Sequence, residues 1–152
     1  MERDYILRLI EQAGIVLKQL LGRIEAGSID QTDVDRDLQR AAQLGGLDLD
    51  LLRICDAEGL LQMVAFTGAP DPSRTWLAAE TLFLDSIAAA GAGDSEAARN
   101  GFGKASFLFR LMEPNWVLPS GFPEAAARLA EIDERLRALE AGDGRSRVDR
   151  AR

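Results

Sequence analysis

Histidine is missing from all 152 residues. Its absence removes the commonest general base near neutral pH, the commonest metal ligand, and every serine or cysteine triad built around an imidazole. Cys55 is the only cysteine, so an internal disulfide and a thiolate zinc cage are both excluded within one chain. Basic charge is scarce. The 18 Lys and Arg are outnumbered by 25 Asp and Glu, for a formal net charge of −7, and no local basic patch stands out to hold a phosphate backbone. Nucleic acid is therefore not an expected partner. No window reaches the roughly 18 to 20 consecutive apolar residues of a membrane span, and Met1-Glu2-Arg3-Asp4 lacks the basic flank of a secretory signal. The expected address is the cytoplasm, with no membrane contact. Alternating apolar and polar runs of strand length are also lacking.

Helical apolar spacing runs almost throughout, and the fold class it predicts is all-α, a compact helical bundle of about six helices. In the first, Ile6, Leu9, Ile10, Ala13, Val16, Leu17, Leu20, Leu21 and Ile24 fall in an arc of roughly 160° at 100° per residue. Gly27-Ser28 ends it, and Thr32 or Asp33 can cap a second helix that stops at Gly45-Gly46. A third begins near Asp48 or Asp50, places Cys55 as a small buried hydrophobe, and can be interrupted at Gly59. Residues 67–73, with Gly68, Pro70 and Pro72, form the clearest linker. Ser73 can cap a fourth helix, apolar on more than one side from Trp76 to Ala90, which reads as the central helix. A fifth opens after Asp94 or Ser95, and a sixth runs from Pro123 to about Leu139. Residues 1–140 read as a single domain, 1–66 supplying the N-terminal helices and 73–140 a hairpin and capping helix, with 141–152 as a flexible tail.

Motif searches return few candidates. Asp33-Val34-Asp35-Arg36-Asp37 invites a calcium-loop reading, but Leu38 stands where a glycine is needed and Leu44 where a glutamate is needed. Gly101-Phe102-Gly103-Lys104 fails as a phosphate loop because Ala98 and Ala105 occupy the required glycine and hydroxyl positions. Glu80 and Asp85 lie five residues apart, about 140° round a helix, and do not share a face. No catalytic residue, cofactor or metal ligand is expected.

Residues from about 79 to 112 resemble a tetratricopeptide repeat, a helix-turn-helix unit of about 34 residues. The turn Gly93-Asp94 is followed by Ala98, Phe102 and Ala105, the small-large-small series by which two such helices pack, with Ser86 as the small residue opposite. Ala89 stands where the repeat usually has tyrosine, and Gly101 and Gly103 weaken the second helix by about 1 kcal/mol each. The chain as a whole resembles a family of small helical bacterial proteins through Met1-Glu2-Arg3-Asp4-Tyr5-Ile6-Leu7-Arg8-Leu9-Ile10, Leu47-Asp48-Leu49-Asp50-Leu51-Leu52 and Ala79-Glu80-Thr81-Leu82-Phe83-Leu84-Asp85. That resemblance implies a fold and no activity. On the repeat pattern the concave, ligand-facing positions map to Glu80, Phe83, Ile87, Ala90 and Gly91, and a lone repeat must have them covered. The N-terminal helices are expected to fill that groove, and the sixth helix to act as a cap.

The expected function is non-enzymatic, through a protein partner or a homodimer. Candidate contact residues are Leu9 and Val16 on the first helix, and Trp116 and Phe122 in the apolar loop Glu113–Pro123, where the aromatic rings either cover the hairpin's open end or anchor a partner. The alternative is a small-molecule-binding or enzymatic pocket between the N-terminal helices and the hairpin, lined by Glu80, Phe83 and Ile87.

Overall fold

The computed structural model describes the backbone of residues 2–150 except 29 and 120, and side chains between 5 and 142 with the same two omissions. The elements are α1 (Glu2–Glu25), α2 (Gln31–Leu44), α3 (Leu49–Ile54), α4 (Ala57–Val64), β1 (Ala65–Phe66), β2 (Ala69–Pro70), α5 (Pro72–Gly91), α6 (Ser95–Leu111) and α7 (Ala125–Arg150). The class is all-α, with a two-stranded antiparallel ribbon as its one departure among the described residues.

Aspartates set where most helices begin. Asp30, Asp48, Asp56, Asp71 and Asp94 each accept a backbone N–H of the first turn they precede, at 2.8 to 3.1 Å for the shortest bond of each. A carboxylate there satisfies an otherwise orphaned donor and opposes the positive end of the helix dipole. Of the alternatives Asp48 or Asp50 and Asp94 or Ser95, the first of each is the cap, whereas Asp30 and Asp71 displace Thr32 or Asp33 and Ser73. Asp56 corrects the sequence reading most: its bond to the Gly59 N–H starts a new helix, with Cys55 extended before it. The break falls at Cys55, ahead of Gly59, and the described residues form seven helices where about six were expected. Cys55 is half-buried rather than buried, its thiol 3.9 Å from the sulfur of Met63.

The expected linker holds the ribbon. Thr67 and Gly68 have φ of 53° and 85°, the paired left-handed residues of a tight hairpin turn, and Ala65 pairs with Pro70.

Thirteen of the 20 residues of α5 are buried, including every one from Thr75 to Leu84. It is the central helix, as its two-sided apolar pattern predicts: α1 and α2 pack on it, α3 and α4 touch it, and α6 shares its longest contact. Ala98, Phe102 and Ala105 of α6 are fully buried, and the rings of Phe83 and Phe102 meet edge to face at 6.1 Å. Gly101 is what permits this approach. A Cβ on it would lie 2.1 Å from Ser86 Oγ, so the glycine that weakens α6 locally lets the two helices close.

Ile10, Ala13, Leu17 and Leu20 of α1 are at most 2% exposed. The wide α1 stripe is thus covered by this chain's own α2 and α5. Leu9 and Val16 lie half-buried at its edge. α7 is helical as far as Arg150, beyond the expected end at Leu139 and through most of the expected tail. Residues 151 and 152 lie outside the described set.

Candidate functional site

Two of the five positions expected on the concave side, Glu80 and Phe83, are closed by Arg128 of α7, whereas Ala90 is half-buried and Gly91 exposed. Glu80 is 0% exposed, and both its oxygens are held by Arg128, with Nε donating to Oε2 at 3.0 Å and Nη2 to Oε1 at 2.5 Å. The remaining Arg128 nitrogen donates to Glu131 at 3.0 Å, and Arg135 donates to the same glutamate at 3.1 and 3.2 Å. Arg128 also stands 4.4 Å from the centroid of the buried Phe83 ring, a distance suited to attraction between a cation and a π face. Burial pushes the Glu80 carboxyl above the usual range, with Arg128 pulling it back. Glu80 and Phe83 are therefore packed under α7, a helix that runs chiefly along α6, and do not line a cavity. This overturns two expectations, the pocket lined by Glu80, Phe83 and Ile87, and the N-terminal helices as the cover over Glu80 and Phe83. Ile87 is 8% exposed.

A second polar centre ties the N-terminal helices to the hairpin. Arg53 of α3 meets Asp85 of α5 with two bonds, at 3.0 and 2.7 Å, and Asp35 of α2 at 2.6 Å. These carboxylates, Asp85 foremost, hold the guanidinium above its ordinary pKa against the opposing effect of burial. The free carbonyls at the end of α3 are then capped from α6. Lys104 Nζ donates to Leu52 O at 3.1 Å and to Arg53 O. A cation at a helix C-terminus contributes about 0.3 to 1 kcal/mol, so Lys104→Met is expected to lower the thermal midpoint by about 1 to 4 °C, read by circular dichroism. An unchanged midpoint would contradict that cap.

Phe122 and Trp116 part company. Phe122 meets Trp76 edge to face at 4.8 Å, and a methyl built on Gly14 of α1 would sit 3.3 Å from its ring. It therefore covers the start of α5, at the open end of the hairpin. Trp116 is half-buried and Val117 is 92% exposed.

What sequence reasoning missed is an exposed apolar stretch. Leu51 (49% exposed), Ile54 (78%), Leu61 (36%) and Phe66 (63%) lie on α3, α4 and β1. Beside them α4 and α6 enclose a shallow depression of about 360 Å³, where Ala57, Leu60 and Phe107 are apolar and Asn100 and Lys104 polar. Leu51 and Ile54, spaced i, i+3, share the side of α3 opposite the buried pair Leu49 and Leu52, and a count of apolar residues along the helix does not separate the two pairs.

Among the described residues no three His, Cys, Asp or Glu side chains are placed to hold a metal ion, and no helix is long and apolar enough to cross a membrane. The chain matches no protein-family model, no curated protein and no solved structure.

Proposed function

We propose that the protein is a non-catalytic helical module that acts by protein contact, and that the contact is with a second copy through α3, α4, β1 and the neighbouring part of α6. One observation carries this reading: among the described residues, four of the eight large exposed apolar side chains fall within the 16 positions from Leu51 to Phe66. Scattered apolar residues are normal on a surface, but their concentration beside an apolar depression marks an interaction face. The face is small for a permanent interface. Thirteen residues between 51 and 66 are not buried, and with Arg99, Asn100, Gly103, Lys104 and Phe107 they number 18, just short of the roughly 20 to 30 per side of a stable interface. A micromolar, reversible dimer fits such a face better than a permanent one.

The α5–α6 hairpin, with its small-large-small contact, supports the tetratricopeptide-like reading, and α7 serves as its cap. A cytoplasmic setting in a bacterium accords with the resemblance and the single cysteine. Catalysis is disfavoured by the chemistry of the carboxylates: both oxygens of Glu80 are held by an arginine, and Asp85 is paired with Arg53.

Light scattering over a concentration series tests this. The wild-type mass is expected to climb from one chain toward two across the micromolar range. Ile54→Asp/Phe66→Asp should remain at one chain with unchanged helicity, since both side chains are mostly exposed. Equal masses for the two proteins at every concentration would refute the assigned face.

A further inference from the structure

We propose that the depression between α4 and α6 binds a small carboxylate with an apolar tail. It lies where the sequence places a pocket, between the N-terminal helices and the hairpin, but with a different lining. Ala57 and Leu60 of α4, with Gly103 and Phe107 of α6, line about 360 Å³, a volume within the roughly 300 to 1,000 Å³ of ligand sites. The same lining holds two cations, Arg99 and Lys104, and no acid among the described residues, although the chain has a net charge of −7. An apolar floor with a cationic rim selects an anionic head on an apolar body.

Gly103 is an independent observation at the same place. Like Gly101 it weakens α6, but a Cβ built on it meets no atom of the described residues within 4 Å, so helix packing does not call for a glycine here. Its missing side chain leaves the α6 backbone open on the depression, which lets a ligand approach the helix closely. Lys104 stands next to it with a fixed charge. Its ammonium donates to Leu52 O and Arg53 O, two of the three bonds it can make, so the cation is held in place while one N–H remains for a carboxylate oxygen. A head group therefore meets a cation that loses little freedom on binding. The inference does not rest on the second-copy contact, since the site is complete within one chain.

Amide shifts followed by NMR during titration with octanoate test it, in the full chain carrying Ile54→Asp/Phe66→Asp so that the result is separate from self-association. Expected are saturable shifts centred on Gly103, Lys104 and Phe107. Octylammonium, with the same tail and the opposite charge, should bind about tenfold more weakly or worse, the loss of one charge-assisted contact. Gly103→Leu fills the depression from an exposed helix position, and should abolish the octanoate shifts while raising the thermal midpoint by about 2 to 4 °C, because leucine is the better helix former. The comparison of head groups needs no change at the site, and decides the matter should Gly103→Leu fail to fold. Absence of saturation, shifts centred on other apolar residues, equal binding of the two head groups, or undiminished binding by a folded Gly103→Leu would each overturn the proposal.

Discussion

Arg128→Leu is expected to lower the free energy of unfolding by about 3 to 5 kcal/mol at pH 7, because it strands the Glu80 carboxylate in a fully buried position without its counter-ion. Against a total of about 5 to 15 kcal/mol for a domain, this is the largest effect expected of one substitution here. The loss depends on pH. Burial already raises the Glu80 pKa, and Arg128 is the main influence opposing that rise, so its removal raises the pKa further. A carboxyl whose folded pKa exceeds its unfolded value of about 4.3 binds a proton in the folded chain that the unfolded chain has released. Stability then falls as pH increases through the folded pKa, and is recovered on the acid side. Urea unfolding of the variant at pH 5 and pH 8 should show the larger deficit at pH 8. A deficit equal at both, or larger at pH 5, would mean that Glu80 is not the stranded group. Glu80→Leu/Arg128→Leu removes both charges and should recover most of the loss, since an apolar pair of similar volume often replaces a buried ion pair at little cost.

Gly101→Val is expected to cost about 1 to 3 kcal/mol, the range for overpacking a close helix contact. The first added carbon would meet Ser86 Oγ at 2.1 Å and approach Leu82 O at 3.7 Å. Ser86 is itself held, its hydroxyl donating to Leu82 O at 2.7 Å. A double-mutant cycle isolates the contact. Gly101→Ala should destabilise, although alanine is the better helix former by about 1 kcal/mol. Ser86→Ala clears the nearest atom and leaves Ser86 Cβ at 3.4 Å as the next, so Gly101→Ala/Ser86→Ala should return to wild-type stability or above. Simple additivity of the two single changes in chemical denaturation would contradict a direct contact.

Local chemistry made much of the fold readable. The two-sided apolar pattern from Trp76 to Ala90 correctly makes α5 central, and Gly93-Asp94 correctly opens α6, because a run buried on both sides and a carboxylate cap each leave a local trace. Gly101 shows the limit. In isolation it only weakens a helix, and its value emerges when Ser86 comes across from α5. Arg128 is a similar case, since nothing within α7 reveals that its partner lies 48 residues earlier. Glu80, expected on the ligand-facing side, is buried completely. The exposed face was illegible for another reason: a six-residue helix with apolar residues at Leu49, Leu51, Leu52 and Ile54 has two apolar sides, and only the packing of Leu49 and Leu52 into the core tells which is inside.

Hydrogen exchange measured at several protein concentrations reads both faces in one experiment. Amides around Glu80 and Phe83 are expected to exchange slowly at every concentration, being closed by α7. Amides within 51–66 and in α6 near Gly103 and Phe107 should exchange faster when dilute and slow severalfold as the protein is concentrated. Exchange within 51–66 that is independent of concentration, or amides around Phe83 as labile as those of a surface helix, would contradict this reading.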